Sequence, residues 1–550
     1  MMRQIRWREM AVVGGIITLS VLLVVVAVRQ SGLTRANAMP VPESVPDGDW
    51  EVAWINTPTA ADTWDEFVTG VKRIEMAVPG VVVDTSEAFP EQTTSVPEVV
   101  VSRPPHAGKL RFRWYKTGTG AATSDWVAAL AQRDPAPLAI IGGWSSDRAI
   151  ELAELLNRQQ DWVGDRPLLF LTAATVDRVQ NSGGTSALPW QETQLTELYP
   201  KRMFRFCFTN KQMAKAVTDY LTQDATLWSE SGTANQFDNR AASAVAGWPA
   251  ALGVAANPPP RPAVFTMQWQ DDPFSEDLAD YFTEALNDHF NRAAIGNPDH
   301  APHAPMLLQR NRIPFSTGSF TRPNPGEAEA VAEIARQLPP NGERAIVIIP
   351  TVTAPMRRAM LSLSERIPRS GHRLVAITGD GLSVNTLYRD VDYVWPVRSI
   401  PIPLVMFCHE NPFGWDEPNG PAPPPGYALE PASKRSTQDI LLYRDIGLTL
   451  IQALLPAAES GVPGVPRADA LADHLRGLQP KLFHDDGNRV GGSGEHIVVM
   501  RPMIRDGKND RLTRPDAVID VYRHVPETGW TKVHSVEVRS DPTAERRSPS

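Results

Sequence analysis

The chain has 550 residues, 50 of them Pro and 37 Gly, with 42% hydrophobic and 21% charged side chains, which excludes a collagen-like or fully disordered polymer. Its net charge is −9, yet residues 1–35 carry Arg3, Arg6, Arg8, Arg29 and Arg35 against Glu9 alone, so the remainder is more acidic still. That balance argues against nucleic acid as a partner of the main body, and with only Cys207 and Cys408, each in an apolar run, no disulfide scaffold can be built. Both cysteines read as buried free thiols.

Ala11 to Val28 is an uncharged apolar run, and at 1.5 Å per residue a helix of this length just spans a hydrocarbon core of about 30 Å. Arg3, Arg6 and Arg8 before it, against Arg29 and Arg35 after it, favour a cytosolic N-terminus (residues 1–10) and an exported body. A cleaved signal peptide is the competing reading, with Ala36-Asn37-Ala38 as the small-residue pattern. Residues 29–48, rich in Pro and small polar side chains, read as a linker.

From Asp49 onward short apolar runs alternate with helical periodicity, the pattern of an α/β protein with mainly parallel sheets. Val52 to Ile55 reads as a strand, and Trp64, Phe67, Val68 and Val71 mark one face of a helix. Strands follow at Leu110–Trp114, Leu138–Ile141 and Leu168–Thr172, with helices around Trp126–Ala131 and over Asp147–Asn157. A second series begins near Thr209 with a helix carrying Met213, Val217, Tyr220 and Leu221. It continues with a strand at Ala263–Met267, a helix striped by Leu278, Tyr281, Phe282, Ala285 and Leu286, and a helix over Glu327–Leu338. Strands at Ile346–Ile349 and Leu374–Ile377 follow, with a helix between them. The C-terminal part adds a helix over Thr437–Leu455 and strands at His496–Met500 and Val518–Tyr522, while Ser229–Pro262, Gly296–Pro325 and Glu410–Pro431 read as surface insertions.

Five segments in this order resemble one family. They are Leu138–Asn157 (LAIIGGWSSDRAIELAELLN), Pro167–Val179 (PLLFLTAATVDRV), Tyr199–Leu221 with its Phe-Arg step, Phe265–Leu286 with its acidic turn, and Phe483–Gly492 (FHDDGNRVGG). Together they resemble the type I periplasmic solute-binding proteins, in particular the branched-chain amino-acid-binding proteins of ABC transporters. The resemblance implies a two-lobed α/β fold whose lobes are joined by a three-segment hinge, with solute enclosed when the cleft closes. It divides the chain into residues 49–207 and 392–476 as the first lobe and 208–391 and 477–540 as the second, with 541–550 as a tail.

In such a sheet the strand C-termini and the following helix N-termini face the cleft, where backbone N–H groups favour a carboxylate. The loop holding Gly142, Gly143, Trp144, Ser145 and Ser146 is one such place; the serines either cap the helix or donate to a solute, and Trp144 either closes over an apolar group or simply packs. The resemblance gives the loop after the next strand, with Ala173 through its carbonyl and Thr175 through its hydroxyl, the amino-acid head group, whereas by residue type alone Thr172 and Thr175 are equally ordinary strand-end and N-cap residues. It places Phe274 where the family usually has Tyr, and Ser275 where it has Gly. Asp380 either meets a solute ammonium or stands as a solvated turn carboxylate.

No nucleophile elbow, phosphate loop, dinucleotide fingerprint or zinc-binding H-E-x-x-H is present. His300 and His303 read as solvated loop residues rather than metal ligands, and the sequence calls for no metal and no cofactor. The expectation is a non-enzymatic, membrane-tethered receptor at the inner membrane with its body in the periplasm, binding an amino acid or similar zwitterion and serving an ABC permease. The alternative is a sensory or protein-interaction module that keeps this fold without transport.

Overall fold

The protein is described by a computed structural model over residues 40–104, 108–118, 120–180, 192–224, 227, 262–270, 272–295, 308–314, 324–338, 344–366, 373–382, 402–412, 437–459, 468–477, 495–502, 517–525 and 528–538. The anchor segment 11–28, the Ala36–Ala38 pattern, His300, His303 and the segment 483–492 lie outside these residues. So does nearly all of Ser229–Pro262. Among the described residues no helix is long and apolar enough to cross a membrane.

Apolar runs too continuous for a half-wetted strand build two sheets. The first has seven strands: β1 (Trp50–Asn56), β2 (Val82–Asp84), β3 (Glu98–Ser102), β4 (Leu110–Lys116), β5 (Ala139–Gly142), β6 (Leu168–Leu171) and, beyond a small ribbon of β7 (Arg178–Gln180) and β8 (Glu192–Gln194), β9 (Met203–Arg205). They lie in the order β2-β3-β4-β1-β5-β6-β9. The second sheet holds β10 (Ala263–Trp269), β11 (Leu308–Ile313), β12 (Arg344–Ile348), β13 (Arg373–Thr378), β14 (Leu404–Cys408), β15 (His496–Pro502), β16 (Ala517–Val525) and β17 (Gly529–Val538), in the order β11-β10-β12-β13-β14-β15-β16-β17. The parallel parts, β4-β1-β5-β6-β9 and β11-β10-β12-β13-β14, repeat one doubly wound order, second-first-third-fourth-fifth. Strands β5 and β6 are buried throughout, as covering on both faces requires.

Helices cover both faces of each sheet. Against the first lie α1 (Ala61–Lys72), the short α2 (Ile74–Ala77), α3 (Thr123–Ala131) and α4 (Ser146–Arg158); against the second lie α5 (Asn210–Gln223), α6 (Pro273–Ile295), α7 (Pro325–Gln337) and α8 (Thr353–Arg366). The chain then returns: α9 (Thr437–Glu459) and α10 (Ala468–Gly477) contribute Leu442, Tyr443, Ile446, Leu450, Leu471 and Leu475 to the first lobe's core. That core centres on Trp54, whose ring stacks on Trp64 with centroids 5.2 Å apart, while Phe67 meets Tyr443 edge-on at 5.3 Å.

Several expectations change. Strand β14 pairs with β13 and β15 in the second sheet, so the return to the first lobe comes after Cys408 and not at Asp392. The segment 296–325, read as an insertion, contributes the edge strand β11 through Leu308–Ile313. The closing hairpin is a three-strand antiparallel extension, because β17 pairs with β16. The sheet of the first lobe also carries an antiparallel margin, β2-β3, whose short Val-rich strands give little periodic signal. Cys207 and Cys408 are buried free thiols, as read.

Candidate functional site

The carboxyl ends of the two parallel sheets meet at a set of loops and helix N-termini. From the first lobe come the turn after β5 and the loop after β6. From the second come the start of α5, the acidic turn before α6, and the turn after β13. Chain crossings between the lobes run from β9 to α5, from β14 to α9, and from α10 to β15.

The turn after β5 is shaped by glycine. Gly143 has φ +71, and a Cβ there would stand 2.7 Å from the Ala149 Cα, so the turn can lie flat on α4 only without a side chain. Ser145 occupies the N-cap of α4 without bonding its amides; its hydroxyl donates instead to the Asp147 carboxylate at 2.5 Å. Ser146 is buried. Trp144 is half-buried, with the Arg148 guanidinium 5.9 Å from its ring centroid.

In the loop after β6 the expected head-group donors already have protein partners. Thr175 is 1% exposed; its hydroxyl donates to the Asn210 side-chain carbonyl at 2.7 Å, and its backbone carbonyl accepts the Asn210 N–H at 2.7 Å. Ala173 is exposed. Asp277 of α6 reaches across from the second lobe: its carboxylate accepts the Asp177 N–H at 2.9 Å, the Arg178 N–H and Nε at 3.3 Å each, and the Asn210 amide at 2.9 Å. The Arg178 guanidinium also lies 3.9 Å from the Tyr281 ring centroid and pairs with Glu284 at 2.8 Å. Burial, reinforced by the charge of Asp177, pushes Asp277 up to about 6 despite these donors.

Phe274 links the remaining predicted residues. Its carbonyl lies 3.5 Å from the Asn210 amide, its N–H donates to the Asp272 carboxylate, and its ring lies 3.4 Å from where a Cβ of Gly381 would be. Asp380, beside that glycine, keeps part of its surface open to solvent; burial, with the nearby charge of Asp439, nevertheless pushes its carboxyl up to about 7. Asp272 rises to about 7 as well, through burial and the negative charge of Asp147 across the lobe boundary. Asn210 thus links Thr175 to Phe274, whose ring lies against Gly381 beside Asp380, and Ser145 bonds Asp147, whose charge acts on Asp272 from across the lobe boundary. Among the described residues no group of three or more His, Cys, Asp or Glu is placed to hold a metal ion.

Four contributors were missed from sequence: Asn210, Asp277, Arg178 and Asp272. Two had a readable signal. Asp277 interrupts an apolar helical stripe one turn before Tyr281, which marks a buried carboxylate in need of partners, and Asp272 before Pro273 is an N-cap pattern.

No protein-family model matches the chain, and no curated protein matches it. Solved structures to which it is similar include a leucine-binding protein from Thermotoga maritima, 13% identical, covering 84% of this chain and 96% of that one, with a TM-score of 0.46. An ABC transporter substrate-binding protein from Desulfitobacterium hafniense is 13% identical over 84% and 98%, with a TM-score of 0.43. A solute-binding protein of an ABC transporter from Rhodopseudomonas palustris HaA2, in complex with p-hydroxybenzoic acid, is 11% identical over 91% and 100%, with a TM-score of 0.46. These similar structures are leucine-binding and ABC transporter substrate-binding proteins, and for this chain the two-lobed α/β architecture itself rests on the strand order and crossings above.

Proposed function

We propose that the protein is an extracytoplasmic solute receptor that binds a small polar molecule, such as an amino acid, between two hinged α/β lobes. In this reading it is not an enzyme, residues 11–28 tether it to the inner membrane, and an ABC permease takes the solute. The observation that supports it most is the pair of identically wound parallel sheets, joined by three crossings, with their carboxyl ends facing one another around Phe274. Such a junction places strand-end loops of both lobes against one enclosed molecule. Thermal unfolding of the full chain in detergent, against the amino acids, aromatic carboxylates and fatty acids, tests this. A solute at 100 times its dissociation constant stabilises by about 2.7 kcal/mol. Failure of every solute to raise Tm sinks the receptor reading.

One observation favours a second reading, a sensory or interaction module without transport. Thr175 and the amides of Asp177 and Arg178 are already satisfied by Asn210 and Asp277, so this loop offers a head group less than its sequence promised. Absence of any solute, with capture of a defined extracytoplasmic partner by the full chain, is the outcome that fits it.

A further inference from the structure

Loops at the ends of parallel strands offer backbone N–H groups to a carboxylate, and in the loop after β6 the protein fills that place itself. The Asp177 and Arg178 N–H groups donate to the Asp277 carboxylate at 2.9 and 3.3 Å. Arg178 Nε at 3.3 Å and the Asn210 amide at 2.9 Å complete its set of donors. Asp277 is 5% exposed and comes from α6 of the other lobe, so it makes from within the chain the contacts that a solute carboxylate needs. What stays open in the junction is acidic. Asp272 and Asp380 are half-buried, and the charges that act on them, Asp147 and Glu276 on the first and Asp439 on the second, are all negative. Among the described residues no cationic side chain pairs with either. The nearest guanidinium groups hold other partners, Arg148 with Glu151 at 2.6 Å and Arg178 with Asp277 and Glu284. Thr351, just after β12, is wholly buried, and its hydroxyl has no hydrogen-bond partner. Its carbonyl lies 2.7 Å from where a Cβ of Gly381 would be, and the Phe274 ring lies 3.4 Å from the same point, so an unused hydroxyl, an aromatic ring and the Asp380 turn share one corner.

We propose that Asp277 stands in for the carboxylate of an amino acid, so that the cleft takes organic ammonium ions that carry no carboxylate, held by Asp272, Asp380 and Thr351 of the second lobe. The inference rests on the receptor reading and narrows its solute class. An ammonium gains charge-assisted hydrogen bonds to the two carboxylates, a third acceptor in the Thr351 hydroxyl, and the attraction of the Phe274 ring. A carboxylate attached to it enters a junction of like charges, where the amides of Asp177 and Arg178 are already occupied. The first turn of α4 carries its own negative charge in Asp147, which also takes the Ser145 hydroxyl. The acidic balance of the chain beyond residue 35 steers cations in the same sense.

Matched pairs titrated calorimetrically into the full chain in detergent decide this: alanine against ethylamine, leucine against isoamylamine, and phenylalanine against phenethylamine. The pH is 8, where Asp272 and Asp380, both titrating at about 7, are ionised. Wherever either member of a pair binds, the amine binds more tightly by about 10-fold or more, the worth of one hydrogen bond to a charged group. An amino acid that binds as tightly as its amine, or a carboxylate solute that binds where all three amines fail, overturns the inference and leaves the receptor reading standing. Failure of the amines and of every solute in the thermal screen sinks both. Asp380→Asn weakens the amine by about 10-fold, and unchanged affinity overturns the assigned place. Asp277→Ala frees the amides of Asp177 and Arg178 and raises the affinity of the paired amino acid by a similar factor. An unchanged ratio of amine to amino-acid affinity in that variant overturns the stand-in, and if it does not fold, the pairs in the unaltered protein still decide the solute class.

Discussion

Glu51 shows how much one side chain can decide. Its carboxylate takes Arg113 and Arg133, themselves largely buried, and accepts the Tyr115 hydroxyl at 3.3 Å. Glu51→Gln keeps the shape and leaves Arg133 facing an uncharged amide while Arg113 keeps Glu98, so it is expected to cost about 3 kcal/mol, read as a fall in the denaturant midpoint at constant slope. Asp272 predicts the opposite sign. Its carboxyl titrates near 3.8 when unfolded and at about 7 in the fold, so the folded state holds the proton more tightly and this group's contribution to stability falls as pH rises from about 4 to about 7. Asp272→Asn, whose amide oxygen still accepts from the Phe274 N–H, should therefore raise Tm at pH 8, through a stability gain of roughly 2 kcal/mol if half of the shift is realised at about 1.4 kcal/mol per unit. At pH 4 the gain should vanish, and an equal gain at both pH values would show that ionisation is not the cause.

At the scale of elements, close backbone approach sets the geometry. Helix α9 crosses α1 at Gly70, where a Cβ would stand 2.9 Å from the Arg444 nitrogen and press on the Ile440 carbonyl. Gly70→Ala is expected to force the helices apart at a cost of about 1–3 kcal/mol, outweighing the gain of up to about 1 kcal/mol that Ala brings to a helix interior. Urea unfolding checks the sign; a stabilised variant would mean that the crossing can slide. Gly143→Ala strains a left-handed turn and collides with Ala149. It should lower Tm and, where a solute is bound, weaken that solute by changing the turn that carries Ser145.

For the whole molecule, the lobes are joined by the three crossings and by contacts around Asn210 and Asp277, among them a clasp of Arg178 with Asp277, Glu284 and Tyr281. Arg178→Ala removes the guanidinium and leaves the crossings intact. The expected outcome is a larger radius of gyration in small-angle scattering with unchanged far-UV circular dichroism. An unaltered radius would show that the crossings and the bonds of Asn210 and Asp277 set the angle without Arg178.

Periodicity and turn chemistry carried the sequence a long way. Alternating apolar runs named most of the parallel strands and the helices between them, because a strand buried on both faces and a striped helix each leave a local mark. They did not reveal β2, β3 or β11, which are short or lie at sheet margins, where half-exposed positions break the pattern. Nor could they assign β14 to the second lobe, since strand partners are chosen by contacts far apart in the chain. The loops that would face a solute were likewise legible from Gly143, Ser145 and Thr175, whose residue types suit strand ends and helix starts. Only the tertiary structure decided that Asn210 and Asp277 occupy the donors around Thr175 and that Arg113 and Arg133 reach back to the Glu43 and Ser44 carbonyls, because a hydrogen-bonding group leaves its preference in the sequence, but its partner is fixed by which surfaces the fold presses together.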